Sequence, residues 1–161
     1  MMASQKKVKA GGILRHEGLC LVGVMSAPDQ PGIVARIFTT LGSERLNAQF
    51  IVQSIDLNND SHVQFCIATE DCVHVLDLLA PVAAELEAQK VTTLCPVALI
   101  SVFGPDFRER PGIAGVAFGA LGQAGVNILA ISTSISTVSC VVDNGDIEAA
   151  VEALQGVFDL P

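Results

Sequence analysis

Two stretches of the chain combine residue types that could hold a small charged ligand. They are DQPGIVARIF, Asp29 to Phe38, and ERPGIAGVAF, Glu109 to Phe118. In each, a Pro-Gly turn feeds a run with helical spacing. The first N–H groups of a helix have no partner within it, and they lie at its positive end, so they suit a carboxylate. Gly32 and Gly112 carry no Cβ and would let a ligand approach the backbone, although a glycine also simply makes a turn. Asp29 and the side-chain oxygen of Gln53 are acceptors of the type an ammonium needs. The plainer readings are that Asp29 caps the helix and that Gln53 is an exposed strand residue. In the second copy Glu109 stands near the position of Asp29, but Thr133 replaces Gln53, so the two copies are not equivalent.

The elements that position these residues repeat with an offset of 80. Gln30–Ile55 set against Arg110–Ile135 gives ten identities in 26 positions, among them Pro31/Pro111, Gly32/Gly112, Phe38/Phe118, Asn47/Asn127 and Ser54/Ser134. A module has been duplicated. Leu19–Ser26 is an apolar strand run, and Ile33, Val34, Ile37, Phe38 and Leu41 form a helical stripe with Pro31 in its first turn. NAQFIVQSIDL reads as a strand, residues 58–60 as a hairpin turn, and HVQFCIAT as the returning strand. A second helix is expected through Val73, Leu76, Leu79, Val82, Ala83 and Leu86, kinked or split at Pro81. VTTL closes the module.

The second copy begins with a strand at Val97–Gly104. It continues with a helix at 111–123, strands at 126–133 and 136–142, and a helix at 146–158. The fold class is therefore α+β, two ferredoxin-like βαββαβ modules. The second copy lacks a last strand, and the segment Val8–Arg15 is expected to supply it, with the first module inserted in the second. The expected organisation is residues 1–18 as a tail and completing strand, 19–95 as module one and 96–161 as module two.

Composition narrows the function. A net charge of −8, a pI near 4.6, no basic cluster beyond QKKVK and no Trp or Tyr argue against nucleic acid as a partner. No apolar run approaches the roughly 18–20 residues that span a bilayer, and no signal-peptide pattern follows the basic N-terminus. No membrane association and a cytoplasmic location are expected. Five cysteines, an odd number at irregular spacing, argue against a disulfide framework. Cys20, Cys66 and Cys140 read as small buried hydrophobes. Cys72 and His74, with Cys66 and His62 nearby, fit no common zinc spacing. No phosphate-binding loop, nucleophile elbow, zinc-protease motif or dinucleotide fingerprint occurs. No catalytic residue, metal or cofactor is expected.

APDQPGIVARIFTTLGSERLNAQFIVQS, followed by RERPGIAGVAFGALGQAGVNILAISTS and a terminal ALQGVFDL, resembles tandem ACT domains. It is most similar to the C-terminal regulatory region, or regulatory subunit, of bacterial aspartokinases. The resemblance covers residues 19–160 and departs from the family pattern at Ile135-Ser136 and at Gln155. It implies a non-catalytic module that binds an amino-acid effector, lysine, threonine or both, and passes the signal to a catalytic kinase subunit. It also implies a homodimer, with the effector where one domain meets another. The effector-binding residues then expected are Asp29, Gly32, Ile33, Val34 and Gln53 at the first turn, completed by Asn127 and Ile128 of a second module. The alternative is a free-standing ACT pair that regulates transcription or another metabolic enzyme through protein contacts.

Overall fold

A computed structural model describes residues 6–105 and 107–161. The described residues divide into two compact units, one formed by residues 18–97 and the other by the residues before 18 together with those after 97. Both cuts fall inside long strands, β2 (Gly12–Pro28) and β5 (Lys90–Phe103).

The unit of residues 18–97 contains α1 (Ile33–Ser43), β3 (Gln49–Ile55), β4 (Asp60–Ala68) and α2 (Cys72–Glu85). Its strands run in the order β3-β4-β2-β5. β4 lies antiparallel between β2 and β3, with Val24 opposite Val63 and Gln53 also opposite Val63. The period of 3.6 expected for α1 is realised, since Ile33, Ile37 and Leu41 are all buried. They pack with Val22, Val24, Phe65, Val75 and Leu79 in one core, where Phe38 meets Phe65 edge to face at 5.2 Å.

α2 departs from the sequence reading in its buried face and, of the expected kink or split at Pro81, excludes the split. The helix runs on through Pro81 rather than splitting there. Both Pro81 and Asp77, whose carbonyl loses its N–H partner, are exposed, so water can satisfy the orphan. Its buried face is Cys72, Val75, Leu79, Val82 and Ala83, whereas Val73 is 74% exposed.

The other unit contains β1 (Val8–Lys9), α3 (Ile113–Gln123), β6 (Ala130–Thr133), β7 (Thr137–Asp143), α4 (Ile147–Val157) and β8 (Phe158–Asp159). Its sheet has the order β2-β5-β7-β6. The N-terminal half of β2 therefore occupies the place that the second copy leaves empty. Val8–Lys9 does not join this strand; it pairs in parallel with Phe158–Asp159 as a separate two-stranded ribbon. Gly11, between them, and Gly12, the first residue of β2, lie against the Phe103 ring, where an added Cβ would come within 2.8 and 2.9 Å of it. That is why the link is Gly-Gly. Ile100, Val102, Ala117, Leu121, Cys140 and Phe158 form the core of this unit.

β5 is continuous through Cys95 and Pro96, so the expected closing strand VTTL and the expected opening strand Val97–Gly104 are one element. Strand β6 is shorter than expected, beginning at Ala130 after an irregular 126–129. Among the described residues, no helix is long and apolar enough to cross a membrane.

Candidate functional site

Both Pro-Gly turns build the same backbone device. Gly32 and Gly112 are the N-cap residues, with φ of 97° and 89°. This is left-handed territory that a residue with a Cβ enters only with strain. Pro31 and Pro111 thus precede the cap instead of filling the first helical turn. The first intrahelical bonds run from Arg36 N to Gly32 O and from Val116 N to Gly112 O, at 2.9 and 3.0 Å. The N–H groups of Ile33, Val34 and Ala35, and of Ile113, Ala114 and Gly115, are the donors left at the two helix starts. No side chain caps either helix. A Cβ at Gly32 or Gly112 would meet nothing within 4 Å, so the turns face open space.

The counter-groups differ between the copies. At the first turn, Asp29 is half-buried and its backbone N–H donates to Asn59 O at 3.0 Å. Its carboxylate does not cap α1, contrary to the plainer reading of the sequence. Gln53, exposed on β3, donates through Nε2 to Oγ of the fully buried Ser61 at 3.0 Å, which leaves Oε1 as an acceptor. Val34 is half-buried at the start of α1, with Ile33 beneath it in the core.

At the second turn a cavity of about 240 Å³ opens between the start of α3 and the β6–β7 hairpin. It is lined by Arg110, Gly112, Ala114, Thr133, Ser134 and Ile135, among others. Arg110 is exposed and has no ion pair among the described residues. Sequence reasoning passed over Arg110. The signal available was a cation immediately before Pro111 in an acidic chain, where the first copy has Gln30. Larger hollows of about 320 Å³ beside Lys6, Lys7 and Val116, and of about 300 Å³ beside Leu14, His16 and Ser101, involve neither turn. Asn127 and Ile128 lie on the irregular approach to β6. Asn127 is exposed, while Ile128 packs against the core of its own unit.

Histidine and cysteine serve other ends. His62 accepts from Ser26 N at Nδ1 (3.1 Å) and donates from Nε2 to Asp56 at 2.9 Å, which makes it a fixed part of the hairpin. Burial pushes the Cys66 thiol up to about 12 and the Cys140 thiol up to about 11, so both stay neutral and pack as small apolar groups. Cys20 is not of their kind. It forms a disulfide with Cys95, contrary to the expectation drawn from the cysteine count. The two are 75 residues apart and meet because β2 and β5 are neighbours.

Comparison with known proteins agrees with this fold. Residues 100–158 match the ACT domain family. An aspartate kinase of Stutzerimonas stutzeri is 31% identical over 149 residues, covering 92% of this chain but 36% of its own length. The regulatory subunit of aspartate kinase from Thermus flavus superposes with a TM-score of 0.83 at 25% identity, covering 94% of this chain and 99% of that one. E. coli aspartokinase III, solved with lysine and aspartate, shares the fold at a TM-score of 0.72 and 20% identity, over 96% of this chain and 34% of that one. The chain is a tandem ACT-domain regulatory module. It belongs with the C-terminal regulatory regions of the aspartokinases, and spans about a third of the length of the curated relatives it matches.

Proposed function

We propose that the chain is the non-catalytic, amino-acid-sensing part of a cytoplasmic aspartokinase-like system, with lysine or threonine as effector. The observation that carries this reading is the second-turn cavity, where Arg110, without an ion pair among the described residues, and an uncapped helix start line one hollow of amino-acid size. Arg110 and the N–H groups of Ile113 and Ala114 would take the α-carboxylate, while Thr133 and Ser134 supply oxygens for the ammonium. At the first turn the N–H groups of Ile33 and Val34, beside Gly32, would take a carboxylate, with Asp29 and Gln53 Oε1 receiving the ammonium. Asn127 and Ile128 remain proposed effector contacts. The signal would pass to a catalytic kinase subunit, within a homodimeric assembly, by favouring one of two arrangements.

A thermal-shift screen against the twenty amino acids tests the reading. Effector at about 100 times its Kd adds roughly 2.7 kcal/mol, equivalent to roughly 5–10 °C for a chain of this size. Arg110→Ala should then weaken binding roughly 10- to 100-fold, the loss of one charge-assisted hydrogen bond. Sensing is lost as an explanation if no amino acid raises the melting temperature. If Arg110→Ala and Asp29→Ala both keep the full response, the site assignment fails while sensing survives.

A further inference from the structure

The unit of residues 18–97 brings together three sulfurs that neither turn uses. Cys20 on β2, Cys95 on β5 and Cys72 at the first position of α2 have their Sγ atoms within 4.8 Å of one another. Cys72 Sγ lies 3.9 Å from Cys95 Sγ, and Thr93 Oγ1 lies 3.5 and 3.6 Å from the sulfurs of Cys72 and Cys95. Cys20 and Cys72 are buried, whereas Cys95 and Thr93 are exposed, so the cluster has an inner wall and one side open to solvent.

We propose that, once the Cys20–Cys95 disulfide is reduced, Cys20, Cys72 and Cys95 form a three-thiolate site for a thiophilic d¹⁰ cation, Zn²⁺ in the first instance. A tetrahedral ion with Zn–S bonds of about 2.3 Å sets its sulfurs about 3.8 Å apart. The Cys72–Cys95 separation already meets this, and cleavage of the disulfide frees Cys20 and Cys95 to reach it. A dithiol reductant supplies two electrons and two protons to the S–S bond and leaves as its own cyclic disulfide. Zn²⁺ then forms three Zn–S bonds, three protons pass to solvent, and a water on the open side near Thr93 completes four-coordination. The product carries one net negative charge and sits at the N-terminal end of the 14-residue α2, where the helix dipole favours an anion. The disulfide and the metal use the same sulfurs, so each state excludes the other. The site is thereby gated by redox state.

Co²⁺ is the probe, because thiolate-to-cobalt charge transfer absorbs in a region that a chain without Trp or Tyr leaves clear. The reduced full chain should bind one equivalent and release it to Zn²⁺. Cys72→Ser should weaken binding by roughly 100-fold or more, with circular dichroism verifying the fold. The unmutated chain with its disulfide intact, which a thiol titration identifies by its three free cysteines, should give no charge-transfer band. That comparison needs no substitution. Absence of binding by the reduced chain, equal binding by the oxidised chain, or undiminished binding by a folded Cys72→Ser would each overturn the proposal.

Discussion

Gly112 and Gly115 stand three residues apart, and alanine at each should move stability in opposite directions. A Cβ at either position meets nothing within 4 Å, so packing contributes to neither change. What differs is the backbone. Gly112 holds φ at 89°, where an L side chain costs about 1–3 kcal/mol. Gly115 lies inside α3, where alanine is favoured over glycine by about 1 kcal/mol. At roughly 2–4 °C per kcal/mol for a chain of this length, about 2 kcal/mol of strain in Gly112→Ala lowers the melting temperature by roughly 4–8 °C. Gly115→Ala should raise it by roughly 2–4 °C. Thermal melts followed by circular dichroism at helical wavelengths suit a chain that lacks Trp and Tyr. An unchanged or raised melting temperature for Gly112→Ala would refute the left-handed cap, and with it the way the α3 donors are presented.

Two further substitutions probe the unit of residues 18–97. Pro81→Ala restores an N–H donor inside α2 and removes a residue that costs about 3 kcal/mol in a helix interior. The lost stiffening of the unfolded chain offsets about 0.4–1 kcal/mol of this. Net stabilisation of about 2 kcal/mol should appear as a higher urea midpoint. Asp56 accepts from His62 Nε2 and from the backbone N–H groups of Asn58 and Asp60, and the His62 bond is the main cause of its depressed pKa. A carboxylate whose folded pKa lies below its unfolded value contributes stability above the unfolded value of about 4 and loses it as pH falls through the folded one. The midpoint gap between the wild type and Asp56→Asn should therefore be open at pH 6 and close below pH of about 4. A gap that persists at low pH would contradict the charged hydrogen bonds.

Much of this fold was legible because the signals were local. The stripe Ile33, Val34, Ile37, Phe38 and Leu41 has one phase; the structure buries Ile33, Ile37 and Leu41 fully and the other two by half. α2 was harder: Val73, Val75, Leu76, Leu78 and Leu79 offer several apolar phases, and tertiary packing chose the one that buries Val75 and exposes Val73. Cys95-Pro96 reads as punctuation, which is why one 14-residue strand looked like two. The cysteine cluster was invisible for a different reason. Its members are far apart in sequence: the adjacency of β2 and β5 joins Cys20 to Cys95, and the packing of the start of α2 beside them adds Cys72. At the candidate site, the backbone donors could be read from Pro-Gly. The role proposed for Arg110 could not, because it depends on the hollow between α3 and the β6–β7 hairpin.

The two turns also show what duplication retained and what it released. The cap glycines hold nearly the same φ, the first helical bond starts at the same carbonyl, and neither helix has a side-chain cap. The device that presents N–H donors is therefore common to both copies. Around it the side chains differ: Gln30 of the first copy corresponds to Arg110 of the second, and Gln53, which ties its amide to buried Ser61, is matched by Thr133 at the cavity. A zwitterion at the first turn would find its strongest side-chain partner for the ammonium, in Asp29. At the second it would find that partner for the carboxylate, in Arg110. On the proposed reading, one scaffold would recognise the same pair of groups from opposite ends. Arg110→Gln, which returns the first copy's residue to the second turn, separates these contributions. It should weaken the second site while leaving the first untouched, so a biphasic effector titration should lose one phase rather than shift both.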